Sequence, residues 1–180
     1  HCRCACGRAR AGGGGPGGTS HASNEVDLKS ANDGILRPEL NRKSRETYPV
    51  WTYHTIRYND PDSLGHVNNA VYSTFFEAGR TSFIIPMLED LKEEAPHLDF
   101  VLARIIIDFH KELRYPGTVD IGSRVLRLGT KSMTFLNGVF RGETDECVSS
   151  CEAILVFFDL ETRSSVEPPA RLRERIAEYL

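Results

Sequence analysis

The apolar positions of this chain change period twice, and the changes mark out its elements. "VWTYHTIRY" (50–58) has the β-branched and aromatic composition of a strand and stops at the turn-forming "NDPDSLG". From Asn68 the spacing becomes helical: Val71, Phe75, Ala78 and Ser82 recur on one side, flanked by Ala70, Phe76, Phe83 and Ile84. This predicts a helix that is apolar over most of its circumference and must be wrapped by other structure. Pro86 is expected to end or kink it, with "PMLEDLKEE" adding a further turn or two. Period two returns in "FVLARIIIDFHKEL" (100–113), where Val101, Ala103, Ile105, Ile107 and Phe109 alternate onto one face. Strand-like segments follow at 118–130, 132–143 and 146–160, and turns as short as "YPG", "GTKS" and "GETDE" imply antiparallel neighbours. "PPARLRERIAEYL" reads as a short amphipathic helix opened by proline.

The order of strand, long helix and four further strands predicts an α+β domain over residues 48–180. A curved antiparallel sheet of about five strands wrapped around one long central helix satisfies both periods. The free sheet edge and the open end of the helix favour pairing with a second copy, so a homodimer or homotetramer is expected. Residues 1–47 read differently. "HCRCACGRARAGGGGPGGTS" is glycine-rich, and such composition cannot bury enough apolar surface to offset chain entropy, so disorder is expected there. Residues 21–47 read as a linker or loosely held arm. Scattered arginines without acids in residues 1–20 are also the composition of a transit segment. Location is therefore read as cytoplasmic, or mitochondrial if that segment acts as a targeting signal.

Composition narrows the partners. With 22 basic and 25 acidic residues among 180, the formal charge of -3 is too small to hold a polyanion by bulk electrostatics, which argues against nucleic acid. "AILVFF" is strand-sized, far short of the roughly 20 apolar residues of a membrane span. Cys2, Cys4 and Cys6 form one group and Cys147 and Cys151 another, and neither has the paired spacing of a zinc site. No metal and no cofactor are expected, and the thiols read as small buried apolar groups in a reduced setting.

The chemistry is concentrated in "RYNDPDSLGHVNNAVYSTFFEAGR", a polar cluster at the entrance to the most apolar helix. This stretch resembles the leading motif of the hotdog-fold acyl-CoA thioesterases of the 4-hydroxybenzoyl-CoA thioesterase-like family. There a strand ends in a D-x-D-x-x-G-H-V-N-N-x-x-Y pattern and runs into a central helix. "IDFHKELRYPGTVDIGSRVLRLGTKSMTF" is similar to that family's second and third strands and the turn after them. The resemblance spans roughly residues 48–170. It implies hydrolysis of an acyl-CoA thioester to free acid and CoA, a reaction of lipid metabolism.

Thioester hydrolysis needs an activated oxygen and a stabilised oxyanion. By resemblance Asp62 is the catalytic carboxylate, acting as general base on water or as nucleophile through a mixed anhydride. On residue type alone, an Asp near a helix start is an N-cap. The backbone N–H near Asn69, at the positive end of the helix, is the implied oxyanion donor. Gly65 lets the backbone pass close to the acyl group. His66 stands four residues after Asp62, as in the plant acyl carrier protein thioesterases with their D-x-N-x-H-V-N-N stretch, although Leu64 replaces the asparagine between. It either orients water or thioester or hydrogen-bonds the loop. Asn68 either caps the helix or meets substrate, and Asp60 shapes the turn. Glu77 and Arg80 have the i,i+3 spacing of a surface pair. For the CoA end the candidates are Arg104, Lys111, Arg114, Arg124, Arg127 and Lys131, with Lys131 and Ser132 placed at a turn to meet pantetheine or phosphate. Phe75, Phe76, Phe83 and Phe135 are expected to line the acyl pocket. Two other readings share the motif: a hotdog hydratase or dehydratase acting on an enoyl or hydroxyacyl thioester, and a non-catalytic acyl-CoA-binding module.

Overall fold

The computed structural model describes residues 40–180. The expectations for the glycine-rich segment, its targeting role and Cys2, Cys4 and Cys6 lie outside the described residues. The elements run β1 (Val50–Thr55), α1 (Asn69–Glu89), β2 (Leu98–Phe109), β3 (Thr118–Leu128), β4 (Ser132–Arg141), β5 (Cys147–Asp159), β6 (Ser164–Ser165) and α2 (Ala170–Ala177). The five long strands form one antiparallel sheet in the order β1-β3-β4-β5-β2, with the two-residue β6 paired to β5. The long helix packs on one face of this sheet, the arrangement that the two periods predicted.

Helix α1 buries Tyr72, Phe75, Phe76, Gly79, Arg80, Phe83, Ile84 and Met87. These meet Val119, Ile121 and Val125 of β3, Phe135 and Val139 of β4, and Ala153, Leu155 and Phe157 of β5 in one core. The expectation of a helix wrapped on most sides holds for one face only, since Ser73, Thr74, Glu77, Ile85 and Glu89 are exposed. Pro86 neither ends the helix nor breaks it. Pro86 and Ser82 are both exposed, so the Ser82 carbonyl left without an intrahelical donor has water available, and the helix runs on to Glu89.

Strand β2 departs from its predicted pattern. A bulge between Leu102 and Arg104 shifts the register, so that Leu102 pairs with Leu155, Ile105 with Ala153 and Ile107 with Cys151. Val101 and Ala103 therefore do not share the face of Ile105, Ile107 and Phe109; Leu102 does. β2 is an edge strand, and Val101, Leu102, Ile106 and Phe109 are 37%, 47%, 41% and 48% exposed.

The arm covers part of the outer face of the sheet, over β3, β4 and β5. Residues expected to be loosely held are fixed from Leu40 onward. Tyr48 is 3% exposed and packs with Leu136, Phe140 and Cys147, and with Leu40 and Leu126 at the margin. Its hydroxyl donates to the Arg42 carbonyl at 2.6 Å. Arg42 pairs with Glu152 at 2.9 Å, and Arg45 pairs with Asp120 at 3.0 Å while lying 4.2 Å over the Trp51 ring. Gly122 makes this possible: a Cβ there would stand 2.5 Å from Tyr48 Cγ. At the other end of the chain, α2 buries Leu172 and Ile176, and Tyr179 meets Phe83 edge to face at 4.9 Å between centroids. Among the described residues, no helix is long and apolar enough to cross a membrane.

The arm contact is testable by a double-mutant cycle. Gly122→Ala alone should lower stability to urea by about 1–3 kcal/mol through overpacking against Tyr48. In a Tyr48→Ala background, itself destabilised, the same glycine substitution should cost almost nothing more.

Candidate active site

The polar cluster forms a compact loop between β1 and α1. Asp60 is its buried anchor, 2% exposed. Its carboxylate accepts the Arg57 backbone N–H at 2.7 Å and Arg57 Nε at 3.0 Å, and Arg57 Nη2 lies 2.9 Å away. The Asp60 carbonyl accepts the Asn68 N–H at 2.9 Å, Val67 donates to the Leu113 carbonyl at 2.9 Å, and Pro61 bridges Val67. Both shoulders of the loop are thereby tied to the sheet end, and Asp60 shapes the turn as expected.

Between the shoulders the chain reverses. Asp62 N–H donates to the His66 carbonyl at 2.8 Å and Gly65 N–H to the Asp62 carbonyl at 3.0 Å. Gly65 has φ of 77°, a left-handed conformation that a side chain resists, so the glycine serves the turn itself. Asp62 is exposed. Its Oδ1 accepts the Leu64 N–H at 2.8 Å and the His66 N–H at 3.4 Å, which fixes the carboxylate against its own loop; among the described residues Oδ2 has no hydrogen-bond partner. Asp62 is not the helix N-cap. Asn68 takes that position, its Oδ1 accepting the Ala70 N–H at 2.9 Å, while the Val71 N–H goes to the Asn68 carbonyl at 2.9 Å. The Asn69 N–H is left as the first helical amide with no acceptor among the described residues, at the positive end of a helix of 21 residues.

His66 is held from the far end of β2. Its Nε2 lies 2.8 Å from Glu112 Oε2 and 2.6 Å from Arg114 Nη2, and Arg114 Nε donates to Glu112 Oε1 at 3.0 Å. One ring nitrogen cannot donate to the carboxylate and accept from the guanidinium together. A protonated Nε2 favours Glu112, and a bare Nε2 favours Arg114. The Arg114 hydrogen bond holds the Glu112 carboxyl below the usual carboxylate range; desolvation is the next effect and opposes it, and the charges of Arg114, His66 and Arg141 add smaller lowering contributions. Sequence reasoning missed Glu112. It stands 46 positions after His66 (112 − 66), and the only trace is the charged "KELR" following an apolar strand.

The remaining candidates separate. Arg114 also borders a cleft of about 310 Å³ at this end of the sheet, lined by Ile56, Leu113, Gly117, Thr118 and Arg141 among others. Lys131 and Ser132 are not brought to the loop. They begin β4, whose other end, at Arg141, reaches the Glu112 carbonyl, so they stand about 30 Å away along the strand. Lys131 Nζ donates to the Ser165 carbonyl at 3.0 Å. Arg124 serves the arm, donating to the Thr47 carbonyl at 3.2 Å. Phe75, Phe76, Phe83 and Phe135 are 0–4% exposed and packed in the core, Phe83 edge-to-face on Phe135 at 5.0 Å. Among the described residues, Glu77 and Arg80 make no ion pair. Burial raises the thiols of Cys147 and Cys151 to about 11 and about 12, consistent with inert packing groups.

With the geometry in place, comparison with known proteins is decisive for the family. Residues 56–176 match the family model of the thioesterase-like superfamily. The chain belongs to that superfamily. Among solved structures, this member is similar to a thioesterase complexed with coenzyme A and Zn from Thermus thermophilus, at 29% identity and TM-score 0.62, over 72% of this chain and 98% of that one. The PA5185 protein of Pseudomonas aeruginosa strain PAO1 aligns at 24% identity and TM-score 0.65, over 76% and 94%. The DHNA-CoA thioesterase of Staphylococcus aureus aligns at 18% identity and TM-score 0.57, over 65% and 78%. The last two speak for the fold alone. A search of curated proteins gave no match. The fold is the hotdog fold that the motif implied, and the superfamily makes the chain a thioester hydrolase.

The clamp on His66 can be read by carbon-detected NMR titration. The Glu112 carboxyl should titrate below the ordinary Glu range and return toward it in Arg114→Ala. Because the folded-state value is depressed, any stabilisation from the cluster is present at neutral pH and fades as pH falls through that value. An unshifted Glu112 in the wild type would show that the ion cluster does not persist in solution.

Proposed function

We propose that this chain hydrolyses acyl-CoA thioesters at the loop between β1 and α1. What supports the reading is that Asp62, a carboxylate fixed by its own loop amides, stands in the loop leading into α1, whose first amide, the Asn69 N–H, has no acceptor among the described residues. The thioester carbonyl sits between them. Asp62 takes a proton from water, whose oxygen attacks the carbonyl carbon, and the Asn69 N–H stabilises the oxyanion. Collapse breaks the carbon–sulfur bond, and the departing thiolate takes a proton. In the alternative course the carboxylate attacks directly, and water then opens the mixed anhydride. His66, placed by Glu112 and Arg114, orients water or thioester. Gly65 and Asn68 shape the approach. Arg114 and Arg141, which border the cleft while paired with Glu112 and Glu146, are the candidate cations for the anionic end of CoA, in keeping with the coenzyme A bound to the Thermus thermophilus relative. Lys131 and Ser132 have no part in this assignment within one copy.

A second copy completes the particle. β2 offers a 12-residue open edge with apolar side chains exposed on both faces, which favours strand-to-strand pairing into a homodimer. Ile106→Lys should then shift the mass measured by light scattering from dimer to monomer.

The test of the reaction is thiol release across acyl-CoA chain lengths and aryl-CoAs. Asp62→Asn should keep the fold and lower kcat on the order of 100- to 10,000-fold. Near-wild-type turnover in that variant would refute the assignment, and enoyl absorbance without thiol release would point to lyase chemistry. Single turnover in ¹⁸O-water distinguishes the two courses, since only the nucleophile places label in Asp62.

A further inference from the structure

Strand β5 carries five successive buried residues, Cys147 to Cys151, and two of them are serines: Ser149 is 0% and Ser150 1% exposed. A buried hydroxyl is costly unless it is hydrogen-bonded, so two in a row inside a sheet call for a reason. The register supplies one. β4 pairs Val139 with Ser149 and Phe140 with Cys147, which leaves Val148 as a bulge residue without a partner on β4. Its carbonyl instead accepts two amides of the neighbouring chain, His110 N–H at 2.9 Å and Lys111 N–H at 3.1 Å, where β2 has ended.

The serines hold the same place from both faces. Successive residues of a strand point to opposite sides. Ser149 Oγ donates to the Asp108 carbonyl at 2.8 Å, and Ser150 Oγ lies 3.0 Å from His110 Nε2. Burial, and then the charge of Lys43, keeps His110 below the ordinary histidine value, with Asp108 opposing, so the ring is uncharged at neutral pH. Residues 108–111 are thus clipped to three consecutive residues of β5 at the point where the chain turns out of the sheet. Glu112 follows His110 by two residues, at most about 7 Å of chain. Glu112 and Arg114 are exposed, so their backbone rather than packing decides where their side chains meet His66. The contacts further on, from Tyr72 to the Lys111 carbonyl, Arg141 to the Glu112 carbonyl and Val67 to the Leu113 carbonyl, hold the segment after it has turned.

We infer that the clip of Val148, Ser149 and Ser150 on the exit of β2 is a positioning device for the reaction, with Ser150 and His110 acting through Glu112 and Arg114 on His66. Bulges occur next to active sites where they re-aim a side chain, and here the re-aimed groups are the two that compete for one nitrogen of His66. A misplacement of about 1 Å in such a group is enough to cost on the order of 100-fold in rate. The kinetic part rests on the hydrolytic reading of the Asp62 loop. The placement of the His66 ring does not, and it is measurable without substrate.

A double-mutant cycle on the full chain tests this, read as thiol release from the acyl-CoA that the wild type turns over fastest. Ser150→Ala should lower kcat about tenfold with KM little changed. In a His66→Ala background the same substitution should cost nothing further. A merely structural serine would cost the same in both backgrounds, and that result would overturn the inference, as would an unchanged kcat in Ser150→Ala. Independently, the ¹⁵N shifts of the His66 ring, which report the nitrogen carrying the proton, should move in Ser150→Ala toward those of a solvent-averaged imidazole. His110→Gln, whose amide reaches Ser150, should keep the wild-type shifts, and His110→Leu, which cannot bond the hydroxyl, should move them. This pair decides the matter if Ser150→Ala does not fold. Ring shifts unmoved in both Ser150→Ala and His110→Leu would sink the clip even with hydrolysis intact. A wild type that releases no thiol would instead refute the hydrolytic reading and leave the shifts to decide the clip.

Discussion

A single buried carboxylate holds the reactive end of this molecule together. Asp60 accepts two nitrogens of Arg57 and, through its carbonyl, the amide of Asn68, so the last residue before α1 is tied back to the chain leaving β1. At 2% exposure such an anion persists only while its partners are in place. The pin is paired locally, three residues apart in sequence, so it forms with little loss of chain freedom. Every group proposed for catalysis follows it in the chain: the Asp62 carboxylate, the left-handed Gly65, the His66 ring and the first amide of the helix. The loop can be exposed because its two ends are fixed.

The separation of rigid support from exposed chemistry runs through the structure. Asn68 consumes the second helical amide and supplies its carbonyl to the third, which leaves one donor pointing out of the helix end. His66 is positioned by residues nearly fifty positions later, at the point where β2 runs out. The Glu112–Arg114 pair is solvent-exposed and adds little to stability; what it supplies is the direction of one ring.

Much of this was legible in the sequence, for physical reasons. The helical spacing from Val71 to Ser82 and the alternation of the later strands report burial directly, so the sheet and its central helix could be read. Asn68 as a cap and Asp60 as a turn residue follow from local hydrogen bonding, which sequence encodes at short range. What failed was of other kinds. The bulge at Ala103 inserts one residue and inverts the facing of Val101, which no composition signals. Pro86 inside α1 depends on where its turn faces water. Glu112 required the topology that brings distant elements together.

The arm has a consequence for the sheet it covers. Tyr48 lies over a glycine of β3, so the outer surface of the sheet was built with a recess that only this ring fills. Leu136 and Phe140 are dry, and Leu126 is partly buried, because residues 40–48 overlie them. A proteolytic fragment starting at β1 would keep every reactive group and yet present a greasy, indented wall to water. The segment before the first strand is therefore a lid of the hydrophobic interior, and the natural boundary for expressing this fold lies upstream of Leu40.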